Sequence, residues 1–228
     1  MQSNCMNQHQ LIAKATVNNI EPIPEGVFVA VCYSVVDIGT QYSETFDKST
    51  HKVVLSWETP EHRIEVERDG KKLNVPRVIS RRYTVSLGDK AILRRDLESW
   101  RGRGFTAEEL EGFDLKKLLG AACQLQVIHT RKDSKVYANV GTMMALPKGV
   151  TAPELESEPI FFTLAGLAEP KLPAALPEWI QELIRQSREW EKLTLAAKNA
   201  TAMNQGSKET NEPEPASVVG ATDDVLYE

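Results

Sequence analysis

RVISRRYTVSLGDKAILRRDLESWRGRG, residues 77–104, changes its period halfway along. Up to Leu87, the residues Ile79, Tyr83 and Val85 alternate with polar ones, the pattern of a half-buried strand. From Asp89 onward, Ile92, Leu93, Leu97 and Trp100 fall on one helical face, with Asp89 placed to cap the first turn. Gly102 and Gly104 stop that helix. One strand passing into one helix divides the chain into strands before it and strands after it.

Before this junction, residues 27–38 (VFVAVCYSVVDI) and 52–58 (KVVLSWE) are rich in β-branched and aromatic types and read as strands. Residues 39–51 between them read as a long polar loop. Residues 62–75, with Asp69-Gly70 between two short alternating runs, read as an extra hairpin. After the helix, Thr106 and Glu109 have capping-box spacing. Asp114 can cap a turn over 115–119, and Gly120 can close it. Residues 121–130 return to strand, residues 131–135 form a turn, and residues 136–146 form the last strand before Pro147. The order β-β-β-α-β-β predicts a mainly β chain. It matches an OB-like five-stranded Greek-key barrel over residues 20–150, with the hairpin inserted between strands two and three.

The flanks differ in character. Residues 1–19 are polar and read as a flexible N-terminus. Residues 151–176 read as a proline-rich linker whose Ile160, Phe161, Phe162 and Leu164 pack back on the barrel. Pro177 opens an amphipathic helix over 177–199, striped by Trp179, Ile180, Leu183, Ile184, Trp190, Leu193 and Ala197. That stripe must be covered, by the barrel or by a second copy in a homo-oligomer. Residues 200–228 read as a disordered acidic tail.

Charge follows the same divisions. The chain carries a net charge of -5, yet residues 26–150 hold 20 basic and 16 acidic side chains, and residues 201–228 hold one lysine against six acids. A mildly basic body with an acidic rear points to a polyanion surface and an interaction tail. The longest apolar run, 27–36, is broken by Ser34 and falls far short of the ~20 residues of a membrane helix. The N-terminus lacks a basic segment leading into an apolar one, so a secretory signal is not expected. Cys5, Cys32 and Cys123 are scattered, which suggests neither a disulfide framework nor a metal site. A cytoplasmic protein follows as the expectation, in the host cytoplasm if the chain is phage-encoded, with no membrane partner.

No catalytic signature is present: HExxH, GxSxG and a glycine-rich phosphate loop are all missing, and His9, His51, His62 and His129 lie in unrelated segments. No enzyme, no cofactor and no metal are expected. A binding surface is better supported. An OB barrel holds oligonucleotides across strands two and three, between the loop joining strands one and two and the loop joining strands four and five. The first loop supplies Tyr42, Phe46, Lys48 and His51. Strands two and three supply Lys52, Trp57, Arg81, Arg82 and Tyr83. The second loop supplies Arg131, Lys132 and Lys135, with Tyr137 just beyond, and Arg101 and Arg103, which flank a glycine, read as exposed. Single strands are held by this mixture of cations along the phosphates and flat rings under the bases. Trp57 and Tyr83 have two readings, as stacking rings or as barrel core.

IPEGVFVAVCYSVVDIGTQYSE (23–44), DLESWRGRGFTAEELEGFDLKKLLGAACQLQVIH (96–129) and YANVGTMMALPKG (137–149) resemble bacteriophage single-stranded DNA-binding proteins of the replication–recombination module. The likeness continues weakly into LPEWIQELI (176–184). The resemblance implies a protein that coats and protects unwound DNA without catalysis. The tail ends in Asp223, Asp224, Val225, Leu226, Tyr227 and Glu228, similar in kind to the acidic-apolar tails of bacterial single-strand binders, which implies replication or recombination proteins as partners. The rival class is a protein–protein adaptor or virion component built on the same barrel.

Overall fold

The computed structural model describes residues 21–68 and 70–206. Five strands form one curled antiparallel sheet in the order β3-β2-β1-β4-β5, where β1 is Gly26–Ser43, β2 Lys48–Arg68, β3 Lys71–Thr84, β4 Ala122–Lys132 and β5 Lys135–Met144. The curl originates in β1. Its first half pairs with β4, from Gly26 opposite Val127 to Val31 opposite Ala122, and its second half pairs with β2, from Val31 opposite Glu58 to Ser43 opposite Lys48. Two bulges, between Cys32 and Ser34 and between Asp37 and Gly39, bend the strand between its two partners.

The half-barrel is closed by side chains rather than by a ladder. Arg81 on β3 donates to Gly141 O on β5 at 3.0 Å. Helix α1 (Ile92–Arg101) spans the same gap. Its Asp96 pairs with Arg81 at 3.0 Å, and its Ser99 hydroxyl donates to Met143 O at 2.6 Å. Of the apolar face read from the sequence, Leu93, Leu97 and Trp100 fill the barrel, whereas Ile92 is exposed. The helix begins without a side-chain cap: its N-cap position is Ala91, and Asp89, two residues earlier, pairs with Arg94 at 2.6 Å. It ends at Gly102, as expected. The capping box of Thr106 and Glu109 opens the short helix α2 (Ala107–Glu111), and Asp114 accepts from Lys116 N at the following turn.

Two cores lie on opposite faces of the sheet. Inside the barrel, Cys32, Val53, Leu55, Trp57, Ile79, Tyr83 and Leu125 pack with the α1 residues. Outside it, Val36, Ile38 and Val54 are covered by the C-terminal segment. That segment is more ordered than a linker. Strand β6 (Ile160–Phe162) adds parallel to β1 at Ser34–Val36. The helix expected over 177–199 is two helices, α3 (Glu178–Arg185) and α4 (Arg188–Gly206), broken around Ser187. Ile180, Ile184 and Trp190 are buried against the barrel, whereas Trp179 is exposed. Apart from Trp179, the stripe is therefore buried or partly buried within the chain.

The join is tight at one glycine. Gly39 has φ +69, and a Cβ there would meet Ser187 Cβ at 2.6 Å and Leu164 Cδ1 at 2.8 Å. Glu189 of α4 accepts from Thr40 N at 2.7 Å and from the Thr40 hydroxyl at 2.6 Å.

Three loop expectations change. The polar stretch 39–51 is mostly strand: β1 runs to Ser43, β2 starts at Lys48, and a single 3-10 turn at Glu44–Phe46 joins them. The hairpin at 62–75 is no insertion. It is the far end of β2 and β3, displaced by a register shift between Thr59 and Arg63. The turn between β4 and β5 is two residues, Asp133 and Ser134, with φ +49 and +63, the positive pair that a tight hairpin requires.

Candidate nucleic-acid interface

A cleft of about 550 Å³ opens at the junction of β3 and α1, lined by Lys52, Arg81, Arg82 and Tyr83 together with Lys90 and Ser86. The ladder explains the gathering, since Lys52 lies opposite Thr84 and the chain then turns through residues 85–91 to start α1. Sequence reading named the first four residues but not Lys90, although it stands in the same basic stretch just ahead of the helix.

The cations in this cleft divide into two kinds. Arg81 is committed to the fold. It pairs with Asp96, donates to Gly141 O, and sits 5.3 Å from the Tyr83 ring centroid. The side chains of Lys52, Arg82 and Lys90 have no ion pair or hydrogen bond among the described residues, and Arg82 and Lys90 are exposed. The cleft's one acid, Asp89, is taken by Arg94. An anion entering here meets three free cations.

Tyr83 and Trp57 are core residues, which corrects their assignment to the binding surface. Trp57 is fully buried, its ring centroid 5.8 Å from that of Trp100. Tyr83 is 3% exposed, and its hydroxyl donates to Asp96 Oδ2 at 3.1 Å. Burial, then the adjacent Asp96 carboxylate, pushes its phenol well above the usual tyrosine range and keeps it a neutral donor. Both rings point into the barrel, so neither can stack on a base.

The rings that are free lie at the β1–β2 tip. Phe46 is 79% exposed and Tyr42 is 59% exposed. The tip is built to hold them: Tyr42 donates its hydroxyl to Asp47 Oδ1 at 2.8 Å, and Asp47 takes the left-handed conformation at φ +43. Lys48 begins β2 there, four residues from Lys52, about 13 Å at the usual strand rise.

Arg101 and Arg103 serve the fold. Arg101 is half-buried rather than exposed, hydrogen-bonded to Glu109, and stacked at 4.4 Å over Phe105 and 5.1 Å over Phe113. Arg103 is exposed but reaches Glu109 at 2.8 Å. These bonds, Arg103 first and the Thr106 backbone next, hold the Glu109 carboxyl down at about 2. The trio fastens the segment after α1.

Arg131, Lys132 and Lys135 are exposed at the β4–β5 tip, with Tyr137 about half exposed beside them. They belong to the strand ends rather than to a loop. Their hairpin leaves the sheet beyond Gly26, at the opposite end of β1 from the Tyr42–Lys48 tip, and they do not line the cleft. The structure thus joins the first tip to strands two and three and sets the second basic tip apart.

Among the described residues, no group of three or more His, Cys, Asp or Glu is arranged to hold a metal ion, and no helix is long and apolar enough to cross a membrane. Cys32 and Cys123 are buried thiols in the core, and burial raises both, Cys32 to about 12. The tail residues Asp223, Asp224, Val225, Leu226 and Tyr227 lie outside the described residues. No protein-family model matches the sequence, and no curated protein matches it.

Proposed function

We propose that this chain binds single-stranded DNA, without catalysis, as a coat for unwound strands in phage-type replication or recombination. The carrying observation is the cleft at β3 and α1: the side chains of Lys52, Arg82 and Lys90 are free of partners among the described residues, and Lys52 lies four residues along β2 from Lys48, at the tip that carries the exposed rings of Tyr42 and Phe46. Cations there would meet phosphates while Phe46 and Tyr42 stack on bases, which have a flat face whatever their identity. Stacking needs unpaired bases, so this arrangement favours single strands over duplex. The phage setting rests on the sequence resemblance alone.

The acidic tail adds a second element to this proposal. A tethered segment with six acids competes with DNA for the basic cleft, and its apolar end engages a replication or recombination partner once DNA displaces it. The test is a polarisation titration with labelled oligo-dT and with the matching duplex. The proposal requires tighter binding of the single strand; equal affinity for both forms overturns it.

A further inference from the structure

The cleft at β3 and α1 gathers its free cations from three separate places in the chain. Lys52 comes from β2, Arg82 from β3 and Lys90 from the turn before α1, and all three line one cavity of about 550 Å³. That volume lies within the ~300–1,000 Å³ of small-molecule sites. The basic tip of the β4–β5 hairpin is built differently, with Arg131, Lys132 and Lys135 standing exposed on two strand ends. Cations brought together around a cavity repel one another. The one carboxylate of the lining, Asp89, is paired with Arg94 at 2.6 Å and does not offset them. The start of α1 adds to the same field. Ala91, Ile92 and Leu93 line the cleft, the helix has no side-chain cap, and its first turn holds no acid. Its first N–H groups and the positive end of its dipole therefore favour an anion there. Ile92, 51% exposed, gives the cleft an apolar wall.

We propose that this cleft also takes a free nucleoside triphosphate. A triphosphate is a compact chain of anions, so it meets three convergent cations at once, without the track that an extended strand needs. Lys52, Arg82 and Lys90 hold the phosphates, and the sugar and base lie over Ile92. Tyr83, the one aromatic residue of the lining, is buried and turned to Asp96. No ring stacks on the base, so the identity of the base is not read. The assignment is one of binding alone, with no bond made or broken. It rests on the reading of the cleft as a phosphate site, and it adds a regulation to the DNA-binding proposal: a nucleoside triphosphate and a single strand compete for the same cations.

The experiment titrates dTTP, inorganic tripolyphosphate, thymidine and sulfate, at matched ionic strength, into the full-length chain and its variants, with heat as the readout. In the unaltered chain dTTP and tripolyphosphate each saturate one site, dTTP displaces labelled oligo-dT, and thymidine and sulfate do neither. Lys52→Ala/Arg82→Ala/Lys90→Ala, at an equal thermal midpoint, loses more than about tenfold of the affinity for both, since each charged contact removed is a strong one. Lys132→Ala/Lys135→Ala loses none. Ile92→Ser weakens dTTP and leaves tripolyphosphate unchanged. Tripolyphosphate bound no tighter than sulfate, or equal losses in the cleft and hairpin variants, overturns the assignment, because the attraction is then one of general charge. Oligo-dT affinity is measured in the same chains without polyphosphate. Failure of the DNA reading shows in that arm, whereas failure of this assignment leaves that arm intact and shows only in the polyphosphate titrations.

Discussion

Lys132 and Lys135 face each other across the last rung of the β4–β5 ladder, next to a two-residue turn. Like charges directly opposite on a hairpin destabilise it by a few tenths of a kcal/mol. Asp133 lies between them in the turn. Such a pair is stabilised when a polyanion lies over it, although it stands apart from the cleft. Lys132→Ala/Lys135→Ala is therefore expected to leave the thermal midpoint equal or slightly raised and to weaken oligo-dT binding. The salt dependence should become shallower by roughly 1.4, two phosphates at about 0.7 each. Unchanged affinity would remove this tip from the DNA path.

The exposed and the buried rings give opposite outcomes. Phe46→Ala should keep the thermal midpoint and cost about 1–3 kcal/mol of single-strand affinity. Trp57→Ala should cost about 3–5 kcal/mol of fold stability by opening a cavity against Trp100, a loss read in urea unfolding. Binding by folded Trp57→Ala protein should be nearly normal, and a specific binding defect at full stability would return Trp57 to the interface.

Glu109 sets an acid limit. Its folded carboxyl is held at about 2, below the ~4.3 of an unfolded glutamate. A depressed acid contributes stability that is complete above the unfolded value and is lost as pH falls toward the folded one. The midpoint of the unaltered protein should fall between about pH 4.5 and 2, and part of that fall should vanish in Glu109→Gln. Superimposable acid profiles would mean that the Arg101–Glu109–Arg103 cluster does not persist in solution.

Gly39→Ala tests the seat of the C-terminal helices. The left-handed backbone alone costs about 1–2 kcal/mol for a residue with a Cβ, and the added atom would also strike Ser187 and Leu164. Loss of stability, new dye binding and faster proteolysis within 160–200 are expected. An alanine variant as protease-resistant as the parent would show that α3 and α4 do not depend on this contact.

The period change at Leu87–Asp89 was enough to read the strand–helix junction, because one side of each element faces water and the alternation survives. At β2 it was not. In residues 53–58 both faces are covered, one by the barrel and one by α3 and α4, so Val53, Val54 and Leu55 give no parity from which to orient Trp57. Tyr83 was more legible, since it shares its alternation with Ile79, which is core. The ends of β1 and β2 escaped because exposed strand ends carry the polar residues expected of a loop. The break at Ser187 escaped because the apolar stripe continues across it. Of the site, the cations of β3 were readable from the local basic density. Which of them were free was not, because Arg81's partners lie on α1 and β5.

The central claim is tested most directly by the salt dependence of oligo-dT binding for the unaltered chain and for Lys52→Ala/Arg82→Ala/Lys90→Ala. With about five phosphates neutralised, log K should fall against log salt with a slope of roughly -3.5. The triple variant should keep the fold, bind more weakly at low salt, and show a slope near -1.4, three phosphates fewer. Equal slopes and equal affinities in two chains of equal thermal midpoint would contradict a DNA site at the β3–α1 cleft.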